Sequence, residues 1–192
     1  MLLYIHGFNS SPASFKAMLL RERLTQLGRA DEFLCPALPD RPAEAMVMLE
    51  NIVHRRDVDS TTLIGSSLGG FYATYLVEKY GMRAVLLNPA ISPQTGLRAY
   101  LGPQKNLYTG EEYMLSEQHI AELDRLSVPR PADLSHYFLI TATGDEVLDF
   151  REGVERYRGA KQIIINGRDH GMEDFAHYLD KILIFAGINP LP

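Results

Sequence analysis

The stretch Thr62-Leu63-Ile64-Gly65-Ser66-Ser67-Leu68-Gly69-Gly70-Phe71-Tyr72-Ala73-Thr74-Tyr75-Leu76 runs from an apolar segment through a glycine-bracketed serine into a helix-like segment. This order reads as strand, tight turn, helix, with Ser67 on the turn: a nucleophile elbow. A serine held there stands over the amino end of a helix, whose free N–H groups favour a developing negative charge. Such a serine is built to attack a carbonyl carbon and hold the oxyanion that results. The pentapeptide Gly65-Ser66-Ser67-Leu68-Gly69 alone is weak, because serine and glycine gather in many loops; the strand and helix on either side give it weight.

Outward from the elbow, Leu2–Ile5, Ala84–Leu87, Tyr137–Ile140 and Gln162–Ile165 are, like Thr62–Ile64, continuous apolar runs. Strands buried on both faces have this composition, which predicts a parallel sheet. Glu32–Cys35 ends at Pro36 and is expected nearer an edge, where a lost amide donor costs little. Helices are expected between the strands. Ser11-Pro12 reads as a cap and first helical position, followed by Phe15, Met18, Leu19 and Leu27 before Gly28. Ala45, Met48, Leu49, Ile52 and Val53 form a stripe at helical spacing. Further helices are expected from the elbow to Gly81, from about Asp149 to Tyr157, and from about Glu173 to Phe185, the last burying Phe175, Leu179, Ile182 and Leu183. Alternation of this kind gives an α/β fold with right-handed crossovers.

Residues 91–134 break the rhythm with Pro93, Gly96, Gly102, Pro103, Gly110, Pro129 and Pro131. No strand is expected there. A connection of this length in a compact domain is usually functional, and its tyrosines and leucines predict a small helical cap over the carboxyl edge of the sheet.

The chain has 192 residues, 46% of them hydrophobic, and a formal net charge of −5. One domain spanning 1–192, with its cap insertion at about 91–134, is expected. No basic run exceeds Arg55-Arg56, so a nucleic-acid partner is not expected. The single cysteine, Cys35, excludes a disulfide framework within the chain and reads as a small buried hydrophobe. No stretch approaches the roughly 20 apolar residues of a membrane span, and Met1–Ile5 turns directly into His6-Gly7 without a leader pattern. A cytoplasmic protein without stable membrane insertion is expected.

A serine hydroxyl needs a base, and an imidazole serves best when a carboxylate orients it. The strand ending at Ile140 leads into Gly144-Asp145-Glu146-Val147-Leu148-Asp149, and the strand ending at Ile165 leads into Asn166-Gly167-Arg168-Asp169-His170-Gly171. In the order Ser67, Asp145, His170, each candidate follows its own strand, so all three can meet at the carboxyl edge. Asp149 is the second choice of acid, with helix capping as its plain role. Asp169 adjoins His170 and is expected to shape the loop. His6 precedes the elbow by a strand-helix-strand unit and is expected to hold the His6–Ser11 loop. The backbone N–H groups of Phe8 and Leu68 are the expected oxyanion donors, with Gly7 allowing close approach. Asn9 and the cap residues Leu97, Tyr100, Tyr108, Tyr113, Met114 and Leu115 are candidates for the acyl pocket. His54, His119 and His136 read as surface or capping residues. No histidine pair at metal-ligand spacing and no phosphate-binding glycine loop occurs, so neither metal nor cofactor is expected.

With these motifs in place, the chain resembles the alpha/beta-hydrolase superfamily. It is most similar to the small bacterial YqiA-like esterases, through Leu3–Pro12, Gly65–Thr74, Leu87-Asn88-Pro89-Ala90, Tyr108-Thr109-Gly110, Thr143–Asp149 and His170. The resemblance implies a three-layer fold and a mostly parallel six-stranded sheet lacking the superfamily's two leading strands. It implies hydrolysis of small to medium carboxylic esters by Ser67, Asp145 and His170, acyl thioester hydrolysis as an alternative, and no cofactor. A noncatalytic binding protein would be expected to have lost one of the three residues. A monomer and a homodimer covering the exposed sheet edge are both compatible with the sequence.

Overall fold

A computed structural model describes residues 1–106 and 108–191. Six parallel strands form the main sheet: β1 (Leu2–Ile5), β2 (Phe33–Leu34), β3 (Thr62–Ser66), β4 (Arg83–Leu87), β7 (Tyr137–Ala142) and β8 (Lys161–Ile165). Their order is β2-β1-β3-β4-β7-β8, which puts β3 and β4 at the centre. Every strand predicted from the apolar runs is present, and the expected three-layer α/β architecture holds.

Strand side chains alternate between the two faces, as the pleat requires. Leu3, Ile5, Leu63, Leu86, Tyr137 and Leu139 face the layer of α2 (Pro42–Val53) and α3 (Leu68–Tyr80). Leu2, Tyr4, Ile64, Val85, Phe138 and Ile140 face the layer of α1 (Phe15–Gln26) and α7 (Leu179–Phe185). Burying each large aliphatic side chain contributes about 1.5–3 kcal/mol, so the two clusters anchor the helices against the sheet. Cys35 packs in the second cluster, where burial pushes its thiol pKa up to about 12.

Local differences from expectation have physical causes. α1 begins at Phe15 with Ser14 in the cap position, not at Ser11-Pro12; the Ser11 hydroxyl instead accepts the Ala13 N–H. Its buried stripe is Ala17, Leu20 and Leu24, and Phe15 and Met18 face outward. β8 is an edge strand, so Ile164 is exposed despite its apolar run. The last helix is split, with a 3-10 turn over Phe175–Tyr178 before α7. Phe175, Leu179, Ile182 and Leu183 are all buried as expected.

The expectation of a strandless cap is wrong. After a short helix α4 (Pro93–Gly96), β5 (Gly102–Lys105) and β6 (Glu112–Leu115) form an antiparallel hairpin, followed by α5 (Glu117–Arg125). The two strands contain Pro103, Gln104, Lys105 and Glu112 and no β-branched residue, so they give no apolar strand signal. Its register comes from the loop. The Asn106 side chain accepts the Tyr108 and Thr109 N–H groups, Asn106 and Glu111 pair backbone to backbone, and Gly110 takes a φ of 75°.

Candidate active site

Ser67 follows β3 immediately and caps α3, with φ 54° and ψ −119°. A non-glycine residue held in this region stores strain, and its surroundings must fix it there. The Ser67 N–H donates to the Leu87 carbonyl, and the Ser67 carbonyl accepts from Gly70 and Ala90 N–H. The helix can pass this close to β1 only because position 69 lacks a side chain: a Cβ on Gly69 would collide with the Ile5 carbonyl. The bracketing glycines of the elbow are therefore steric necessities of the crossing.

Asp145 lies just beyond β7 and His170 beyond β8. The His170 Nδ1–H donates to Asp145 Oδ2 at 2.8 Å, which leaves Nε2 as the free basic nitrogen. The Asp145 side chain is only 1% exposed, and its Oδ1 accepts the Val147 and Leu148 N–H groups at 2.9 and 2.8 Å. Burial works to raise its pKa, but these bonds, led by that from His170, hold the carboxyl below its ordinary value. Asp149 takes the plain role: it caps α6 (Phe150–Arg156) through the Arg151 N–H.

Ser67 and His170 line one cavity of about 270 Å³, together with Gly7, Phe8, Asn9, Lys16 and Tyr108 among others. The backbone N–H groups of Phe8 and Leu68 donate to no acceptor among the described residues, as oxyanion donors would. Gly7 allows the approach, since a Cβ there would come within 3.0 Å of Ser67 Cβ. His6 is buried and holds the loop as expected. Its Nε2 accepts the Leu38 N–H at 3.1 Å, and Nδ1 faces the Gly7 carbonyl. Burial lowers its pKa, so the ring is held neutral.

The cap hairpin docks on this same loop. Asn9 donates to Gln104 and accepts from the Tyr113 hydroxyl, and Asn106 donates to the Ser10 carbonyl. Asn9 has a φ of 50° and lines the Ser67 cavity as well as a smaller one across the loop, which Tyr113 also lines. Tyr108 reaches the Ser67 cavity. Tyr100 and Met114 line neither cavity and are more than half exposed; Leu115 is buried, and Leu97 packs against the core.

Of three residues that hold the His170 loop, Asn88 and Lys16 escaped the sequence reading, while Glu146 is expected from it as a solvated or loop-ordering carboxylate. Asn88 is 2% exposed and uses its whole amide: Oδ1 accepts from the Ala142 N–H and the Thr141 hydroxyl, and Nδ2 donates to the Asp169 and His170 carbonyls. The Lys16 ammonium donates to the His170 and Gly171 carbonyls at 3.3 and 2.9 Å. Glu146 accepts the His170 N–H. The only prior sign of Asn88 was the Leu87-Asn88-Pro89-Ala90 motif. Asp169 shapes the loop as expected, accepting the Met172 N–H. His119 is a buried capping residue, joined to Ser116 and Asp40.

Among the described residues no three metal-ligating side chains cluster, and no helix is long and apolar enough to cross a membrane.

Residues 1–187 match the family described as Uncharacterised protein family (UPF0227). The chain is 32% identical over 102 residues to a UPF0227 protein of Shewanella sediminis, and 30% identical over the same length to one of Shewanella woodyi. Each match covers 50% of this chain and 55% of the relative, so the chain spans about half the length of the curated relatives it matches. Among solved structures it resembles mouse alpha/beta hydrolase domain-containing protein 10, with a TM-score of 0.73 at 15% identity, over 95% of this chain and 87% of that one. Est1E from Butyrivibrio proteoclasticus aligns with a TM-score of 0.65 at 15% identity, over 96% and 84%. The ydeN gene product from B. subtilis gives 0.68 at 16%, over 97% and 98%. At these identities the likeness shows a shared alpha/beta-hydrolase fold.

Proposed function

The chain belongs to the UPF0227 family, and from its site we propose that it is a serine hydrolase cleaving small to medium carboxylic esters through an acyl-enzyme. The observation that carries this is the 2.8 Å bond between His170 Nδ1 and Asp145 Oδ2, on a histidine that shares a cavity with the strained Ser67. In the proposed sequence, His170 Nε2 takes the proton from Ser67 Oγ as that oxygen attacks the acyl carbon. The Phe8 and Leu68 N–H groups hold the oxyanion, and Asp145 stabilises the imidazolium. The C–O bond breaks as His170 returns the proton to the leaving alcohol, and a water activated by the same nitrogen releases the acid. No cofactor enters.

On this proposal residues 1–192 form one domain with its insertion at about 91–134, acting in the cytoplasm, and the chain sits with the YqiA-like esterases. Asn9 and Tyr108 contact the substrate through the Ser67 cavity, and Tyr113 orders Asn9.

The test is hydrolysis of p-nitrophenyl acetate, butyrate and octanoate by the chain and by Ser67→Ala, beside a matched thioester and labelling with a fluorophosphonate. Turnover and labelling that both vanish in Ser67→Ala support the proposal. Turnover that persists in Ser67→Ala, or its absence on every ester and thioester, overturns it.

A further inference from the structure

The loop Gly7–Ser10 separates two cavities of opposite polarity. The one holding Ser67 and His170 is lined by Lys16 and by no carboxylate among the described residues. The smaller one is lined by Asp40 and Glu111 and by no lysine or arginine among the described residues. The cation therefore stands on the side of the reacting serine, in a chain whose net charge is −5. Two of the three ammonium N–H donors go to the His170 and Gly171 carbonyls, which leaves one for a ligand. Burial lowers the Lys16 pKa, the nearby Asp169 and Asp145 carboxylates work against that, and neither carboxylate lines the cavity; Asp145 is engaged by His170 and by the Val147 and Leu148 N–H groups, and Asp169 Oδ1 by the Met172 N–H. Asn9, Ser10 and Tyr108 add polar groups to the wall. At about 270 Å³, the cavity is just below the range of about 300–1,000 Å³ that holds drug-sized ligands, so its occupant is compact.

We infer that Lys16 selects substrates bearing an anionic group, a carboxylate or a phosphate, a few bonds from the ester carbonyl. This inference rests on the proposed esterase activity and deepens it. The anion pairs with the remaining ammonium donor while the carbonyl lies at Ser67. Lys16 also braces the His170 loop, so replacing it lowers turnover of every ester. Selectivity, not rate, isolates its role toward substrate.

The experiment compares kcat/KM on three esters of matched length: p-nitrophenyl valerate, mono-p-nitrophenyl glutarate and p-nitrophenyl 4-phosphonobutanoate. It uses the chain, Lys16→Met and Lys16→Arg. The expected result is a preference for one or both anionic esters that falls about tenfold or more in Lys16→Met, survives in Lys16→Arg and weakens with added salt, as a charge contact should. The two anionic arms distinguish a carboxylate from a phosphate. Equal anionic-to-neutral ratios in the chain and Lys16→Met overturn the inference while leaving esterase activity standing. Calorimetric binding of glutarate and of 4-phosphonobutanoate needs no turnover. If no ester is cleaved, binding of either anion that is lost in Lys16→Met still supports the anion site, and absence of binding of both to the unmodified chain overturns it.

Discussion

Replacing Asn88 by alanine should both destabilise the fold and disable the site, because this one amide ties the ends of β4 and β7 to the loop bearing His170. The side chain is 2% exposed and makes four hydrogen bonds: from Ala142 N at 2.9 Å and Thr141 Oγ1 at 3.2 Å, and to the Asp169 and His170 carbonyls at 3.3 and 3.2 Å. Each bond contributes about 0.5–1.5 kcal/mol net, and leaving buried partners unmade adds to the loss. The backbone φ of 41° is tolerated by asparagine and costs alanine about 1 kcal/mol more. Allowing for relaxation, we expect Asn88→Ala to lose about 3–4 kcal/mol in urea unfolding. Thr141→Val, which removes one of the four bonds, should lose about 1 kcal/mol. In the folded fraction of Asn88→Ala, kcat on p-nitrophenyl butyrate should fall about 100-fold with KM changed far less, since a shift of about 1 Å in a reacting group has that effect. A loss below about 1 kcal/mol with kcat unchanged would refute the assignment of Asn88 as the clasp of this loop.

At the elbow, Ser67→Gly should be more stable than Ser67→Ala by about 1–2 kcal/mol in the same unfolding assay, because only glycine relieves the strain at φ 54°; equal stabilities would show that the backbone relaxes. Gly69→Ala should lose about 3 kcal/mol or more, or fail to give soluble folded protein by circular dichroism, since its methyl group meets the Ile5 carbonyl. His6 is neutral when folded, with its pKa below the ordinary 6.5, so the unfolded chain binds the proton more readily. Its contribution is complete above pH 6.5 and is lost as pH falls below that value; His6→Gln should flatten the stability profile there, and an unchanged slope would discount it. Asp145 acts lower: its folded pKa is depressed below 3.8, so the stability it contributes is present above that pH and is lost as pH falls through the folded value. Asp145→Asn should remove that acid-side loss in the same titration.

The architecture was legible because its signals are local. Continuous apolar runs mark strands covered on both faces, and all six were found in the expected sheet. The Asp145 to His170 contact followed from topology, since neighbouring parallel strands deliver their following loops to the same edge. The hairpin of β5 and β6 was not legible: its pairing is fixed by an Asn106 side chain bonding its own loop and by docking on Asn9 and Ser10, not by apolar periodicity. The outward turn of Phe15 and Met18 was likewise hidden, because a helix stripe fixes its buried side only once the sheet beneath it is placed.

Residue order alone thus established the α/β class, the strand-turn-helix around Ser67 and the candidates Asp145 and His170, all set by patterns a few residues long. Folding decided which polar side chains close the site. Asn88, Lys16 and Glu146 meet the His170 loop from positions 24 to 154 residues away in sequence. No local pattern encodes such contacts, because the hydrogen bonds form only where β4, β7 and α1 have been packed together around the loop and water has been excluded.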